Sequence, residues 1–299
     1  MANPREPMAN AALLTAAVVW GGSVVAQKVA LGPFSPVEVS VFRGIGALGI
    51  LIPLWWWQDR SVIQWSARNI GVFTALGLGV LGNHLLVLFG LQYIGAGAAG
   101  VIIGASPAIT AFLSSLILKD VPFQAVWGGC ALSFVGVALV SGMKPESATG
   151  ENPLLGGTLI LLALVSWALY TIGSRRAMER VSPLTVNWTT LLISILFQIP
   201  LLWIDHKAIG AGVATIPLSG WMALVYVIIF ATALGQQAWL YGVSRIGPSR
   251  AGIFVNLIPV SALLLSVLIL GETVGMGELA GIALILGGVW LVNRTSGSS

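Results

Sequence analysis

The residues with the chemistry to recognise a small molecule stand where polar groups are expensive. Asn83 and His84 sit well inside one long apolar run, and Gln236 and Gln237 sit inside another. Amide and imidazole groups at that depth need partners, because hydrocarbon offers none. Two roles meet the need: facing a wet cavity, where they can hold the ammonium or carboxylate of an amino acid, or bonding across helices as glue. His84 has a third option, since an unperturbed imidazole titrates near 6.5 and can carry a proton. Four aromatics, Trp20, Trp167, Tyr170 and Trp239, lie near the centres of their runs, away from the interfaces where membrane Trp and Tyr concentrate. Such rings either pack or wall a cavity for an apolar side chain. A cavity ring can also hold an ammonium over its π face, for about 0.5 to 2 kcal/mol.

Two prolines extend the candidate set. Pro107 and Pro259 each remove a backbone donor and free the carbonyl four residues earlier, at Ile103 and Val255. In transporters such interruptions line binding cavities; elsewhere they only bend a bundle. Ser106 adjoins the first break and Asn256 the second, and both join the candidate list. Arg43, about two turns into its run, has three readings: facing a carboxylate, pairing with Glu38, or snorkelling to the interface.

None of these residues forms a bond-making constellation. There is no Gly-x-x-x-x-Gly-Lys-Ser/Thr phosphate loop, no His-Glu-x-x-His pair and no Gly-x-Ser-x-Gly elbow, so the chain reads as something other than an enzyme. The only cysteine, Cys130, lies in an apolar run, which leaves no internal disulfide and no thiolate metal site. No cofactor is called for. All ten acidic residues fall in loops or near run ends, which disfavours a proton-coupled exporter of cationic drugs, since that chemistry normally keeps a carboxylate at the midplane.

The elements that position these groups follow from hydropathy. The 299-residue chain is 57% hydrophobic and 8% charged, far below the roughly one-quarter charged content of soluble domains. Ten runs are long enough to cross a bilayer as helices: 9 to 31, 36 to 57, 69 to 91, 95 to 118, 122 to 142, 153 to 174, 183 to 204, 219 to 242, 249 to 270 and 274 to 293. They are continuous rather than alternating, so the expectation is an all-α integral membrane protein and not a barrel. With the N-terminus in the cytoplasm, ten of the fourteen basic residues fall on the cytoplasmic side, as the positive-inside rule requires, and both termini are cytoplasmic. The net charge of +4 is thereby explained by the lipid bilayer, with no nucleic acid needed.

The chain also repeats itself. Trp20, Ser35, Pro36, Pro53 and Trp56 recur 147 positions later as Trp167, Ser182, Pro183, Pro200 and Trp203. Gly90, Gly95, Gly100, Pro107, Gly129 and Gly136 recur 152 positions later as Gly242, Gly247, Gly252, Pro259, Gly281 and Gly288. The five-residue step belongs in the polar stretch Asp205 to Pro217. Two units result, 9–142 and 153–293, of five spans each. An odd number of crossings makes the second copy enter the membrane from the opposite side, so the repeats are inverted. Inverted repeats with a midplane site between them are a recurrent transporter plan working by alternating access. A passive channel and a duplicated scaffold remain the other readings.

Trp20-Gly21-Gly22-Ser23, then Lys28, Ser35-Pro36 and Arg43, resembles the start of an EamA repeat of the drug/metabolite transporter superfamily. Ser106-Pro107 through Leu118-Lys119-Asp120, Gly129 and Gly136 resembles its end, as do Leu257-Ile258-Pro259 and Leu270-Gly271-Glu272. Lys119-Asp120 departs from the usual Gly-Glu, and Thr190 stands where Arg43 would repeat. Within the superfamily the chain is most similar to YddG-type exporters of aromatic and other neutral amino acids. The resemblance implies efflux from the cytoplasm, and the expectation drawn here is an exporter of the bacterial inner membrane with its amino-acid cavity formed by spans one, three, four, six, eight and nine. Export of other small metabolites or cationic drugs is the alternative. A monomer and a homodimer both fit.

Overall fold

The computed structural model describes residues 5–58, 66–117 and 152–296, with scattered positions between 128 and 139. Every regular element among them is helical. The first half gives α1 (Arg5–Ala30), α2 (Pro36–Gln58), α3 (Ala67–Tyr93), α4 (Ala96–Ile103) and α5 (Ser106–Ile117). The second gives α6 (Pro153–Ala177), α7 (Pro183–Gln198), the short α8 (Lys207–Ala211), α9 (Leu218–Tyr226), α10 (Gln236–Ile246), α11 (Pro248–Val255), α12 (Leu257–Leu265) and α13 (Met276–Ser296). Among the described residues seven continuous stretches are long and apolar enough to cross a membrane: Pro7–Ala30, Pro36–Gln58, Ala67–Tyr93, Ala96–Ile117, Pro153–Ala177, Pro183–Trp203 and Leu218–Ile246. Leu257–Leu270 and Met276–Gly288 are shorter apolar helices. Most of the run 122 to 142 lies outside the described residues, as do Cys130, Lys119 and Asp120.

Local signals explain where the helices begin. Ser35-Pro36-Val37-Glu38 closes a reciprocal capping box: Glu38 N donates to Ser35 Oγ at 3.2 Å, and Ser35 N donates to Glu38 Oε2 at 2.8 Å. Its repeat counterpart, Ser182, accepts from Thr185 N at 3.0 Å, with Pro183 in the first helical position. The polar stretch expected to absorb the insertion holds α8. Glu38 caps that helix as well, accepting from Ala208 N at 2.9 Å and Ile209 N at 2.8 Å. Its carboxylate is thus committed to backbone donors, and the pairing of Glu38 with Arg43 does not occur. Pro107 and Pro259 sit just inside the start of new helical segments, after breaks at Gly104–Ala105 and at Asn256.

Small residues set the packing. Helix α3 runs along α6, and a Cβ on Gly90 would lie 2.6 Å from Ile160 Cγ1. Helix α1 runs along α10, and a Cβ on Gly242 would lie 2.3 Å from Leu13 Cγ. These two contacts are the same contact under the offsets of the repeat. A second such pair joins the described part of the fifth run to α13: Gly288 against the Gly129 carbonyl, and Gly136 against the Gly281 carbonyl. Without Cβ atoms the backbones approach closely, which is how helices associate where lipid competes for apolar contacts.

Four stretches among the described residues depart from α geometry: Ile199–Trp203 and Val213–Thr215 are 3-10 helices, and Ser266–Leu270 is a short π-helix. The fourth, Val227–Gly235, between α9 and α10, is wound as a π-helix. Such widened turns interrupt the regular hydrogen-bond ladder and are frequent at functional sites.

Candidate functional site

A cavity of about 100 Å³ lies where the two halves meet. It is lined by Trp20, Ser23, Val24 and Gln27 of α1, Arg43 of α2, Asn83, His84 and Val87 of α3, Ile103 at the end of α4 and Ser106 at the start of α5. From the second half come Leu164 and Trp167 of α6, Ala231 of the π-helix, Gln236 of α10, Val255 of α11 and Ile258 of α12.

The aromatic wall is built from the repeat-related pair. Trp20 and Trp167 meet edge to face with centroids 5.4 Å apart, and Trp239 packs behind both, at 5.4 and 6.1 Å. Tyr170 stacks on Trp167 at 5.3 Å and accepts a hydrogen bond from Gln236 Nε2 at 3.2 Å. Edge-to-face and tilted rings favour one another electrostatically, by roughly 0.5–1.5 kcal/mol a pair beyond area burial. The Trp20 indole is fixed by donating to the Ala231 carbonyl at 3.0 Å, an acceptor presented by the π-helix. Gly235 leaves room for that indole: a Cβ there would lie 2.9 Å from Trp20 Nε1.

The polar wall is asymmetric. Asn83 Nδ2 donates to the Ala163 carbonyl at 3.1 Å, so one of its donors works as interhelical glue while the residue still lines the cavity. His84 is 4% exposed, and its Nδ1 has no hydrogen-bond partner among the described residues. Arg43 is turned inward and 7% exposed. Its Nε donates to Thr232 Oγ1 at 3.0 Å and its Nη1 to Gln27 Oε1 at 3.2 Å. Thr232 in turn donates to the Val227 carbonyl within the π-helix at 2.8 Å, and Gln27 Nε2 donates to the Ser23 carbonyl at 3.0 Å. The guanidinium is therefore held by groups that are themselves held. Thr190, at the repeat-equivalent position, bonds back to the Val186 carbonyl and does not line the cavity.

Of the twelve residues expected from the sequence, Trp20, Asn83, His84, Ser106, Trp167 and Gln236 line the cavity. Tyr170 and Trp239 stand behind the wall. Gln237 turns to accept from Asn187 Nδ2 at 3.2 Å. Pro107 and Pro259 shape the breaks that bring Ser106 and Ile258 to the cavity, and Asn256 sits in the second break with its Oδ1 buried and without a partner among the described residues. Sequence reasoning passed over Ser23 and Gln27 as cavity residues and left the second span out of the cavity, although it weighed Arg43 of that span as facing a carboxylate. Arg43 was visible as a charge inside an apolar run, but its inward turn depends on Gln27 and Thr232, and nothing in the local pattern announces them.

Four further tryptophans among the described residues divide by depth. Trp56, Trp57 and Trp203 are 62%, 80% and 85% exposed at helix ends, where anchoring rings belong. Trp55 instead packs on Trp188 at 5.1 Å.

An all-helical bundle of membrane-length apolar helices around a small, mixed polar and aromatic cavity defines a class, that of polytopic membrane transporters. The match to families is specific: the chain belongs to the EamA-like transporter family, whose pattern fits residues 7–142 and again 154–294. An uncharacterised transporter of Bacillus subtilis, YyaM, is 29% identical over 93% of this chain and 90% of its own length. A probable terminal-alkyne amino-acid exporter of Streptantibioticus cattleyicolor is 25% identical over 95% of this chain and 92% of its own. YedA of Escherichia coli K12, an uncharacterised inner membrane transporter, is 24% identical over 94% of this chain. One solved crystal structure superposes with a TM-score of 0.71 over 97% of this chain and 98% of its own, at 19% identity, and so shares the fold.

Proposed function

We propose that this protein exports neutral amino acids, with aromatic or large apolar side chains, across the bacterial inner membrane. The observation that carries this reading is a cavity with the repeat-related Trp20 and Trp167 on one wall and Gln27, Arg43, Asn83, His84 and Gln236 around the rest. That arrangement offers an apolar surface for a side chain and hydrogen-bonding groups for a polar head. The volume of about 100 Å³ is below the roughly 300 Å³ at which drug-sized pockets begin, which favours a small metabolite. Among the described residues no carboxylate lines the cavity, which weighs against a cationic drug. The relative described as a probable amino-acid exporter points the same way.

The mechanism proposed is alternating access by ten spans in two inverted five-helix repeats, 9–142 and 153–293, with both termini cytoplasmic. The paired contacts Gly90–Ile160 and Gly242–Leu13, equivalent under the repeat offsets, support a two-fold relation between the halves. Rocking of one half against the other then exposes the cavity to each side in turn. Trp20, Asn83, His84, Ser106, Trp167 and Gln236 contact the substrate in this reading; Tyr170, Gln237, Trp239 and Asn256, with Pro107 and Pro259, hold those contacts in place.

The test is uptake of radiolabelled Phe, Trp, Thr and Met into proteoliposomes, with and without an imposed proton gradient. Saturable flux that unlabelled substrate competes away is expected. Flux that rises linearly with concentration would point to a channel, and no flux of any member would remove the amino-acid assignment.

A further inference from the structure

Arg43 carries a full charge into the centre of the bundle, and nothing among the described residues neutralises it. A guanidinium has five N–H donors. Two hydrogen bonds are made, both to neutral acceptors, Thr232 Oγ1 and Gln27 Oε1. No carboxylate or other acceptor among the described residues meets the donors that remain, and the side chain lines the cavity. The nearest acid along its own helix, Glu38, is consumed by the backbone donors of Ser35, Ala208 and Ile209. Glu272, across the bundle, is consumed by Ala96 N and Gly97 N, at 2.8 and 2.9 Å. A buried charge without a counter-charge is among the most unfavourable arrangements a fold can hold, and in membranes it marks a ligand or ion site. His84 adds an independent sign: it is 4% exposed, lines the same cavity, and its Nδ1 has no partner among the described residues.

We propose that Arg43 is the anchor for the carboxylate of the transported molecule, and that the site selects substrates by this anionic group and does not require an ammonium. The inference rests on the amino-acid reading for the identity of the tail and goes beyond it for the head. A planar carboxylate matches the fork geometry of a guanidinium, and Thr232 and Gln27 preset that fork by fixing Nε and Nη1. Nothing comparable among the described residues receives an ammonium: they offer it ring faces and amide oxygens but no charge of opposite sign. Deaminated acids with an apolar tail are therefore ligands, and the matching amines are not.

The test is equilibrium binding to the full chain in lipid nanodiscs, read by calorimetry, with three probes sharing one tail: L-phenylalanine, 3-phenylpropanoate and 2-phenylethylamine. The acid and the zwitterion are expected to bind within about tenfold of each other, and the amine at least about 30-fold more weakly, the loss usual when a buried charge pair is left half-made. Arg43→Gln should abolish the difference between acid and amine, and Arg43→Lys should keep part of it. The comparison on the unaltered protein stands even where a variant does not fold. An amine that binds as tightly as the acid overturns the assignment to Arg43 while leaving amino-acid export intact. Acid binding without zwitterion binding supports Arg43 and overturns the amino-acid reading. Binding of no probe overturns both.

Discussion

Gly21 is the position where the closeness of the two halves can be measured directly. A Cβ at this point of α1 would lie 1.7 Å from Ser261 Oγ, 2.6 Å from Ser261 Cβ and 3.2 Å from the backbone nitrogen of Ala262 in α12. Two effects compete in Gly21→Ala. Alanine is the better helix former, by about 0.8–1.0 kcal/mol. Overpacking a filled interface costs about 1–3 kcal/mol, and an overlap this deep, involving a Cβ and a backbone atom as well as a rotatable hydroxyl, belongs at the upper end. Gly49 supplies the reference, since a Cβ there meets nothing within 4 Å and Gly49→Ala expresses the propensity effect alone. The expected separation between the two variants is therefore about 3 kcal/mol, Gly21→Ala being the less stable. Ser261→Gly removes the two closest atoms and leaves only the 3.2 Å contact, so the double variant should recover most of the loss. The assay is denaturation of the detergent-solubilised protein for the four chains, treated as a double-mutant cycle. A coupling energy below about 0.5 kcal/mol would refute the reasoning, because sites without shared contacts add within that margin. Lost flux in Gly21→Ala, regained in the double variant, would tie this interface to transport.

Three further outcomes are expected. Glu272→Ala leaves the N–H groups of Ala96 and Gly97 without their charged acceptor and should lower stability by about 2–4 kcal/mol, with Glu272→Gln in between, as thermal unfolding in detergent can check. Trp20→Ala and Trp167→Ala should impair flux in protein that still reaches the membrane, whereas Trp239→Ala, at a ring 3% exposed and behind the cavity wall, should lose about 3–5 kcal/mol of stability first; equal thermal losses in all three would make the cavity pair mere packing. His84→Gln keeps a hydrogen-bonding group of similar reach, and Gln236 already stands at the repeat-equivalent position; saturable flux should persist while any response to a proton gradient disappears, and an undiminished response would remove His84 from coupling.

Much of this protein is legible in one dimension because the membrane simplifies the physics. Hydrocarbon forces every backbone donor and acceptor to be satisfied within its own segment, so apolar run length predicts helices and their ends to within a few residues. The repeat offsets pair Trp20 with Trp167, which meet across the halves, and Gly90 with Gly242, which make one kind of contact in two copies, against Ile160 and Leu13. Ser35-Pro36-x-Glu38 announces its helix start for the same local reason. Half of the expected site residues line the cavity: Asn83, His84 and Gln236 because polar side chains deep in apolar runs must face something polar, Trp20 and Trp167 as aromatics central in their runs, and Ser106 beside a proline break.

The tertiary structure alone decided the rest. An arginine two turns into a span has several energetically acceptable fates, and the choice among them depends on groups far away in sequence. Arg43 turns inward because Gln27 comes from α1 and Thr232 from a π-helix 189 positions on, and because Glu38 is drawn off to cap α8. The same holds for Trp239 and Tyr170, as central in their spans as Trp20 and Trp167 yet one layer behind them. Hydropathy fixes the depth of a side chain, but its rotation about the helix axis is fixed only by the neighbours that the completed bundle brings.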